Sequence, residues 1–510
     1  MPSSGPFPVA ISDCIVAIVL ARVFRLRSPV DAVKQIVDNK AIHHPLFDDA
    51  ANAGGGARMF KKVMVANRGA VAARILRTLR ELGIASVAVH SDADRNAGYL
   101  ALADETFDIG AAPPAASYLN QDVLLEVARR SKADGLHPGY GFLSENHAFA
   151  RRVQQAGVAF IGPSPRWLEA MGHKTRARDL MARHGMPMCP SSPVLGESEA
   201  DNAVLARAIG FPVLVKPANG GGGIGMLPAR DEAELAGAVQ RARSLASRSF
   251  GDAEIYLERL LQRPRHIEFQ ILADRAGNVR HVFERDCSIQ RRHQKVIEET
   301  PAPGLSRWMV EAQAKHVAGI LTRLGYDNIG TVETLYESGV GFSFLEMNTR
   351  LQVEHAVTEQ VTGLDLVALQ IRLAAGGRLE DILPAQVPLD GHAIEARIYA
   401  EDSRRFLPSP GPLKVFRPPS LPSIRIETGY SEGGAVTPFY DPMVAKVIAH
   451  GRTREAAIAS LSAALAAFAI EGVKTNIEFL QQVLADPAFR AGQVHTGMTA
   501  DVLAAARERN

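Results

Sequence analysis

The 510-residue chain is 46% hydrophobic and 22% charged, with 57 Lys+Arg against 55 Asp+Glu and a formal net charge of +2. That length predicts about two to four domains, the apolar content excludes a disordered chain, and so even a charge balance offers no field for gathering nucleic acid or anionic lipid. Cys14, Cys189 and Cys287 lie far apart with no CxxC spacing, which excludes a disulfide framework and a thiolate zinc site and fits a reducing cytoplasm.

In chain order, the apolar stretch from Val9 to Ala21 contains Asp13, is too short for a bilayer, and is followed rather than preceded by Arg22, Arg25 and Arg27. It is therefore neither a membrane span nor a secretory signal. The AANAGGGA run at 50–57 has linker composition, so residues 1–58 are expected to be a disordered, dispensable extension. From Met59 the pattern becomes regular. Residues 62–66 (KVMVA) read as a buried strand and 67–69 as a turn. Residues 71–82 read as a helix with Ile75, Leu76, Leu79 and Leu82 on one face, closed by Gly83, and 84–89 as the next strand. Further strands at 133–137 and 158–161 make this a Rossmann-like parallel sheet. Only Gly69 occupies the first turn and G-x-G-x-x-G is missing, so this sheet reads as structural.

The second block, from about Met171, opens its chemistry at PVLVKPANGGGGIGM (212–226). A strand carrying Lys216 runs into the glycines at 220–223, where backbone N–H groups can approach a phosphate unobstructed. It is not a Walker A loop, because the lysine precedes the glycines. The cluster QRRHQK (290–295) taken alone reads as a solvated charge run. Farther on, Glu346 and Asn348 alternate onto one face of a strand, with Glu333 from a neighbouring strand. That oxygen set suits Mg²⁺, and the flanking Phe342, Phe344, Leu345 and Met347 argue against a merely solvated face. RLQVEH (350–355) then offers a planar cation, Arg350, matched to a small oxyanion, with Glu354 beside it as a base.

Seven segments in order, VANRGAVAARILR, LHPGYGFLSEN, VLVKPANGGGGIGM, ERDCSIQRRHQKVIEE, FLEMNTRLQVEH, FLPSPG and TPFYDPMVAK, closely resemble biotin carboxylase, an ATP-grasp enzyme, over about residues 59–500. The resemblance implies an α/β protein of three parts. These are a Rossmann-like N-terminal domain (59–170), an α+β ATP-grasp domain (171–390) with a mobile lid at about 188–260, and an α+β C-terminal biotin carboxylase domain (391–503).

It also implies roles. Lys174 and Lys216 match lysines on the ATP phosphates, Gly222 and Gly223 the lid backbone over them, and Glu258, Arg259 and Leu261 the adenine positions. His266, Gln290 and His293 match further nucleotide contacts, and Glu333, Glu346 and Asn348 the Mg²⁺ (or Mn²⁺) ligands. Lys295, Arg350, Gln352 and Val353 match the bicarbonate site, Glu354 the base, and Arg397 the arginine that stabilises the biotin enolate. For Arg397 the structural alternative is a pairing with Glu395 or Glu401.

The implied reaction is carboxylation of biotin through carboxyphosphate. No Met-Lys pair of a biotin carrier occurs in the chain, so the biotin is expected on a separate carrier protein, with a carboxyltransferase as a further partner. The whole would be an acyl-CoA carboxylase, acetyl-CoA being the expected acceptor and fatty acid biosynthesis the purpose; no nucleic acid or membrane partner is implied. A homodimer is expected, with Arg77, Glu81 and Arg425 at its polar contacts and a change near Leu421. Ala70, Asn219 and Ile224 depart from the family pattern, and the GGGGIGM form also resembles the urea carboxylase branch. The competing readings are another ATP-grasp ligase or a catalytically silent subunit. The set Lys216, Glu333, Glu346, Asn348, Arg350, Glu354 and Arg397 is intact, which argues against silence.

Overall fold

The computed structural model describes residues 59–218 and 225–508. The expected disordered arm and the expected cradle at Gly222 and Gly223 lie outside the described residues, as do Asn219 and Ile224. The first layer is built from β1 (Lys62–Val65), α1 (Gly69–Glu81), β2 (Ala85–His90), β3 (Glu105–Asp108), β4 (Gly135–His137) and β5 (Ala159–Phe160). The strands pair in parallel in the order β3-β2-β1-β4-β5. Val63, Met64, Val65, Val87 and Val89 are all fully buried, as expected of a sheet covered on both faces. The edge strand β3 escaped the sequence reading because its ETFD carries almost no apolar signal.

After β4 the chain turns at Gly139 (φ +65°), where a Cβ would lie 2.9 Å from Asn67 Nδ2. That amide donates to the carbonyls of Pro138 and Tyr140, so only glycine lets the turn close on it. The loop then passes on to Glu145.

Next come α2 (Lys174–Arg183), β6 (Ser191–Val194), α3 (Glu199–Ile209), β7 (Val213–Pro217), β8 (Leu227–Ala229), α4 (Glu232–Phe250) and β9 (Ile255–Arg259). These strands form a small sheet, β6-β9-β7-β8, with its own core of Val213, Val215, Leu235, Val239, Ile255 and Leu257. Asp231 caps α4 by accepting the Glu234 N–H, and Gly251 ends it in the left-handed conformation. This unit occupies the span expected of a lid.

The largest layer is formed by β10 (Arg265–Ala273), β11 (Val279–Arg291), β12 (Gln294–Thr300), α5 (Arg307–Leu324), β13 (Asn328–Glu337), β14 (Gly341–Asn348), α6 (His355–Thr362), β15 (His392–Tyr399), β16 (Ile424–Glu427), β17 (Met443–Gly451) and α7 (Arg454–Ala467). Its eight strands run β14-β13-β10-β11-β12-β15-β17-β16, every neighbouring pair antiparallel. Pairing of β12 with β15 carries the sheet without a break past residue 390, where the resemblance implies a domain boundary. Across it lies α6, whose Ala356, Val357 and Val361 pack on Ala393 and Ile448. Among the described residues, no helix is long and apolar enough to cross a membrane.

Candidate active site

The hairpin joining β11 to β12 turns through Arg292 and His293 at φ +49° and +66°, the left-handed pair that a two-residue hairpin demands. A bulge follows. Ile289 pairs with Ile297 while Gln290 pairs with Lys295, so β12 holds one extra residue there. Strict alternation would send Lys295 and Glu298 to opposite faces, but with the bulge Lys295 reaches Glu354 and Glu298 reaches Arg397, which holds that same carboxylate.

Lys295 is the hub. Its Nζ donates to Glu268 Oε2 at 2.6 Å, Glu333 Oε1 at 2.9 Å and Glu354 Oε1 at 2.6 Å. The other oxygen of Glu354 accepts from Arg397 at 2.9 Å, and the same guanidinium nitrogen meets Glu298 at 2.5 Å. Burial opposes ionisation of Glu354, but Lys295, Arg397 and Arg285 outweigh it and hold the carboxyl well below its usual range. Burial likewise opposes the charge on Lys295, and the acidic groups around it raise its pKa well above the ordinary value.

Glu333 and Glu346 are cross-strand partners on β13 and β14. Besides Lys295, Glu333 Oε1 accepts from Asn348 Nδ2 at 2.7 Å and Gln352 Nε2 at 3.0 Å, while His266 Nε2 lies 2.8 Å from Oε2. Burial opposes ionisation of Glu333, but Lys295 and the hydrogen-bonding His266 outweigh it and depress its pKa. Gln290 Nε2 lies 2.7 Å from His266 Nδ1 and so places the ring. Lys174, the first residue of α2, reaches Glu346 at 3.0 Å. Arg350 spans Asn348 Oδ1 (3.0 Å), Gln352 Oε1 (2.7 Å) and Glu145 Oε2 (3.0 Å).

The structure thus joins Lys174, His266, Gln290, Lys295, Glu333, Glu346, Asn348, Arg350, Gln352, Glu354 and Arg397 through one set of contacts. Lys216 stands apart, paired with Glu258 at 2.8 Å and lying 5.6 Å from the Tyr256 ring centre. The Glu258 carboxylate is further taken by Arg178 at 2.6 Å. Arg259 and Leu261 continue that strand end, with the Arg259 N–H held by the Pro190 carbonyl and Leu261 buried. His293 sits at the hairpin tip, its pKa lowered by burial and by Lys216. Val353 contributes its backbone, whose carbonyl accepts from Lys446.

One expectation and one alternative change. The N-terminal sheet is more than structural, because Glu145 from its last long loop holds both Arg350 and the Thr349 N–H. Arg397 does not pair with Glu395 or Glu401; its partners are Glu298 and Glu354, and Glu401 instead takes Arg291 at 2.7 Å. Sequence reasoning also passed over Glu268, Glu298 and Arg178. Glu145 lies inside LHPGYGFLSEN and Glu298 inside KVIEE, segments that carry the family resemblance, but only the loop path and the bulge show where these side chains go.

An oxygen-rich strand pair beside two lysines, next to a carboxylate clamped between Lys295 and Arg397, can bind a metal–phosphate complex and deprotonate a small acid close by. The biotin carboxylase N-terminal domain matches residues 59–168, the carbamoyl-phosphate synthase L chain ATP-binding domain 173–382, and the biotin carboxylase C-terminal domain 395–501. Over 452 residues the chain is 49% identical to a biotin carboxylase of Halalkalibacterium halodurans, covering 89% of this chain and 100% of that protein. It superposes on the Campylobacter jejuni biotin carboxylase–β-γ-ATP complex with TM-score 0.83 at 41% identity, covering 87% and 99% of the two chains. For the biotin carboxylase domain dimer of Hydrogenobacter thermophilus 2-oxoglutarate carboxylase, in complex with MgADP, ADP and bicarbonate, the TM-score is 0.82 at 40% identity, covering 88% and 99%.

Proposed function

The chain belongs to the biotin carboxylase family and is an ATP-dependent ligase, and from that premise we propose how its residues divide the carboxylation of biotin. The carrying observation is the clamping of Glu354 between Lys295 and Arg397. Bicarbonate binds against Lys295, Arg350, Gln352 and the Val353 backbone, taking over part of the contact Lys295 makes with Glu354. That relaxes the hold on the carboxylate, which then removes bicarbonate's proton. The resulting dianion attacks the γ-phosphate of ATP to give carboxyphosphate and ADP, with Lys174 and Lys216 on the phosphates and His266, Gln290, His293 and the 258–261 strand end around the nucleoside. Carboxyphosphate breaks into CO₂ and phosphate, and the phosphate takes the N1′ proton of biotin. Arg397 faces the enolate oxygen while biotin captures CO₂. The unit over 191–259, inside the span of about 188–260 expected of a lid, keeps water from carboxyphosphate.

The Glu333 and Glu346 carboxylates are cross-strand neighbours, and with Asn348 Oδ1, which here accepts from Arg350 while Nδ2 donates to Glu333, they supply the oxygen set that fits Mg²⁺ or Mn²⁺. These residues would hold the metal, which when bound neutralises charge on the transferring phosphoryl group.

At the next level we propose a cytoplasmic homodimer acting on biotin held by a separate carrier protein and working with a carboxyltransferase, acetyl-CoA being the acceptor. Arg77 and Glu81 on α1 and Arg425 on β16 would supply the dimer's polar contacts; Arg425 also pairs within the chain, with Glu359 at 2.7 Å. Because the Hydrogenobacter relative belongs to a 2-oxoglutarate carboxylase, a different acceptor is the second reading.

The test measures bicarbonate-dependent ATP cleavage and carboxylation of free biotin side by side. Arg397→Ala should still split ATP slowly yet lose biotin carboxylation by about 10²–10³-fold, the usual cost of removing a charged donor from a dry site. Equal loss of both activities together with a lowered Tm would make Arg397 a structural residue.

A further inference from the structure

The segment TPFYDPMVAK ends in Lys446, to which the roles above assign nothing. This lysine lies on β17 opposite Arg397 on β15 and opposite Glu427 on β16, so all three side chains rise from the same face of the sheet toward α6. It is fully buried. An ammonium in such a place needs every proton engaged. Its partners are the Val353 carbonyl at 2.5 Å, Glu427 Oε2 at 2.7 Å and, more distantly, Glu395 Oε2 at 3.5 Å.

The Val353 contact matters for where it falls. Glu354 is the N-cap of α6, and the Val357 N–H bonds to the Glu354 carbonyl, so the helix leaves the preceding carbonyl to Lys446. The same short turn carries the Gln352 carbonyl, which binds His355 Nδ1 at 2.7 Å. One charged hydrogen bond from the sheet floor therefore pins the peptide immediately before Glu354, between that residue and the Gln352–Val353 edge. A cation placed only to neutralise Glu427 could do so without reaching Val353.

We propose that Lys446 is a positioning residue for the bicarbonate half-reaction, setting the height of the Val353–Glu354 peptide against Lys295 and Arg397. The inference rests on the assignment of Glu354 as the base. Its action is geometric. Releasing the peptide lets the Glu354 carboxylate and the Val353 backbone drift from the oxyanion, and displacements near 1 Å cost about 10²-fold in such sites. ATP, held on other strands, should not register the change.

The test uses the full chain with free biotin as acceptor and compares Lys446→Arg with the double variant Lys446→Met/Glu427→Gln. The first keeps a cation opposite Glu427 and Glu395 but replaces the compact ammonium with a planar fork; the second removes the pair together, so that no carboxylate at position 427 is left unpaired. In both, the KM for bicarbonate should rise on the order of tenfold and kcat should fall, while the KM for ATP stays at the wild-type value. Wild-type KM values for both substrates in a folded variant would overturn the inference. So would loss of folding in both variants, or a fall in activity that only tracks Tm, since either makes Lys446 a structural lysine. Absence of bicarbonate-dependent ATP cleavage in the wild-type chain would instead overturn the assignment of Glu354 and leave Lys446 aside.

Discussion

Two clusters of buried charge are joined by α6, whose N-cap Glu354 belongs to one and whose Glu359 belongs to the other. Around Lys295 a single ammonium meets three carboxylates, each with a further partner: Arg285 for Glu268, His266 for Glu333 and Arg397 for Glu354. Around Arg74 the guanidinium meets Glu359 at 3.0 Å, Asp365 at 2.9 Å and Glu427 at 3.6 Å, while Arg425 and Lys446 return to the same glutamates. The second cluster ties α1 to α6, β16 and β17, elements brought together from distant parts of the chain. Its contacts are closed, with each charge answered inside the protein. In the first cluster Lys295, Glu333 and Glu354 face positions assigned to bicarbonate and metal, so their mutual contacts are ones that ligands can replace. Similar burial and chemistry thus serve exchange in one place and cross-linking in the other.

The comparison is tested most severely by Glu354→Gln, which keeps shape and removes the proposed base. Bicarbonate-dependent ATP cleavage should fall by about 10²–10⁴-fold while the melting temperature changes little. A comparable loss of Tm would show the Lys295 cluster to be a cross-link as well. Arg74→Ala should do the reverse, lowering the stability measured by urea unfolding by about 3–5 kcal/mol because buried carboxylates lose their partner. If Arg74→Ala leaves the unfolding midpoint in place, the second cluster is not the cross-link its contacts describe.

Lowering the pH should loosen the same junction. Burial holds the His355 pKa down at about 4, against 6.5 ordinarily, so between these values the unfolded chain binds a proton that the folded one refuses. Glu359 is opposed by burial but held at about 2 by Arg74 and Arg425, against 4.5 ordinarily, so protonation again favours the unfolded chain. Both shifts act in one direction. Stability should decline as pH falls from about 6.5 and continue to decline toward pH 2, and Arg74→Ala should flatten the lower part of that profile. A profile unaltered by the substitution would separate Glu359 from Arg74. The smallest effect is expected outside both clusters. Trp308 is 80% exposed on the first turn of α5, and Trp308→Ser should shift stability by no more than about 0.5 kcal/mol with kcat and both KM values intact.

Much of the site could be read from the order of residues because its chemistry is compressed into short segments. Glu346, Asn348, Arg350, Gln352 and Glu354 stand at alternate positions along one strand end and the loop after it, where spacing alone brings them close. Lys295 was harder. In QRRHQK it looks like one solvated charge among several, and its three carboxylate partners come from β10, β13 and the start of α6. The parallel sheet was legible in its buried strands and not in β3, whose alternation is exposed and polar at the edge.

What the sequence determined by itself is the set of groups able to do the chemistry and the local elements that carry them, since a strand's two-residue period and a helix's apolar stripe are properties of neighbouring residues. What only the tertiary structure decided is how their charges are shared. The bulge in β12 brings Lys295 to Glu354, the loop after β4 delivers Glu145 to Arg350, and the β12–β15 pairing sets Arg397 beside Glu298, from where it reaches Glu354. None of these contacts has a sequence period. Each depends on strands far apart in the chain lying 4.7–4.9 Å or so from one another, and on low-dielectric surroundings in which a charge must find its partner wherever the fold places it.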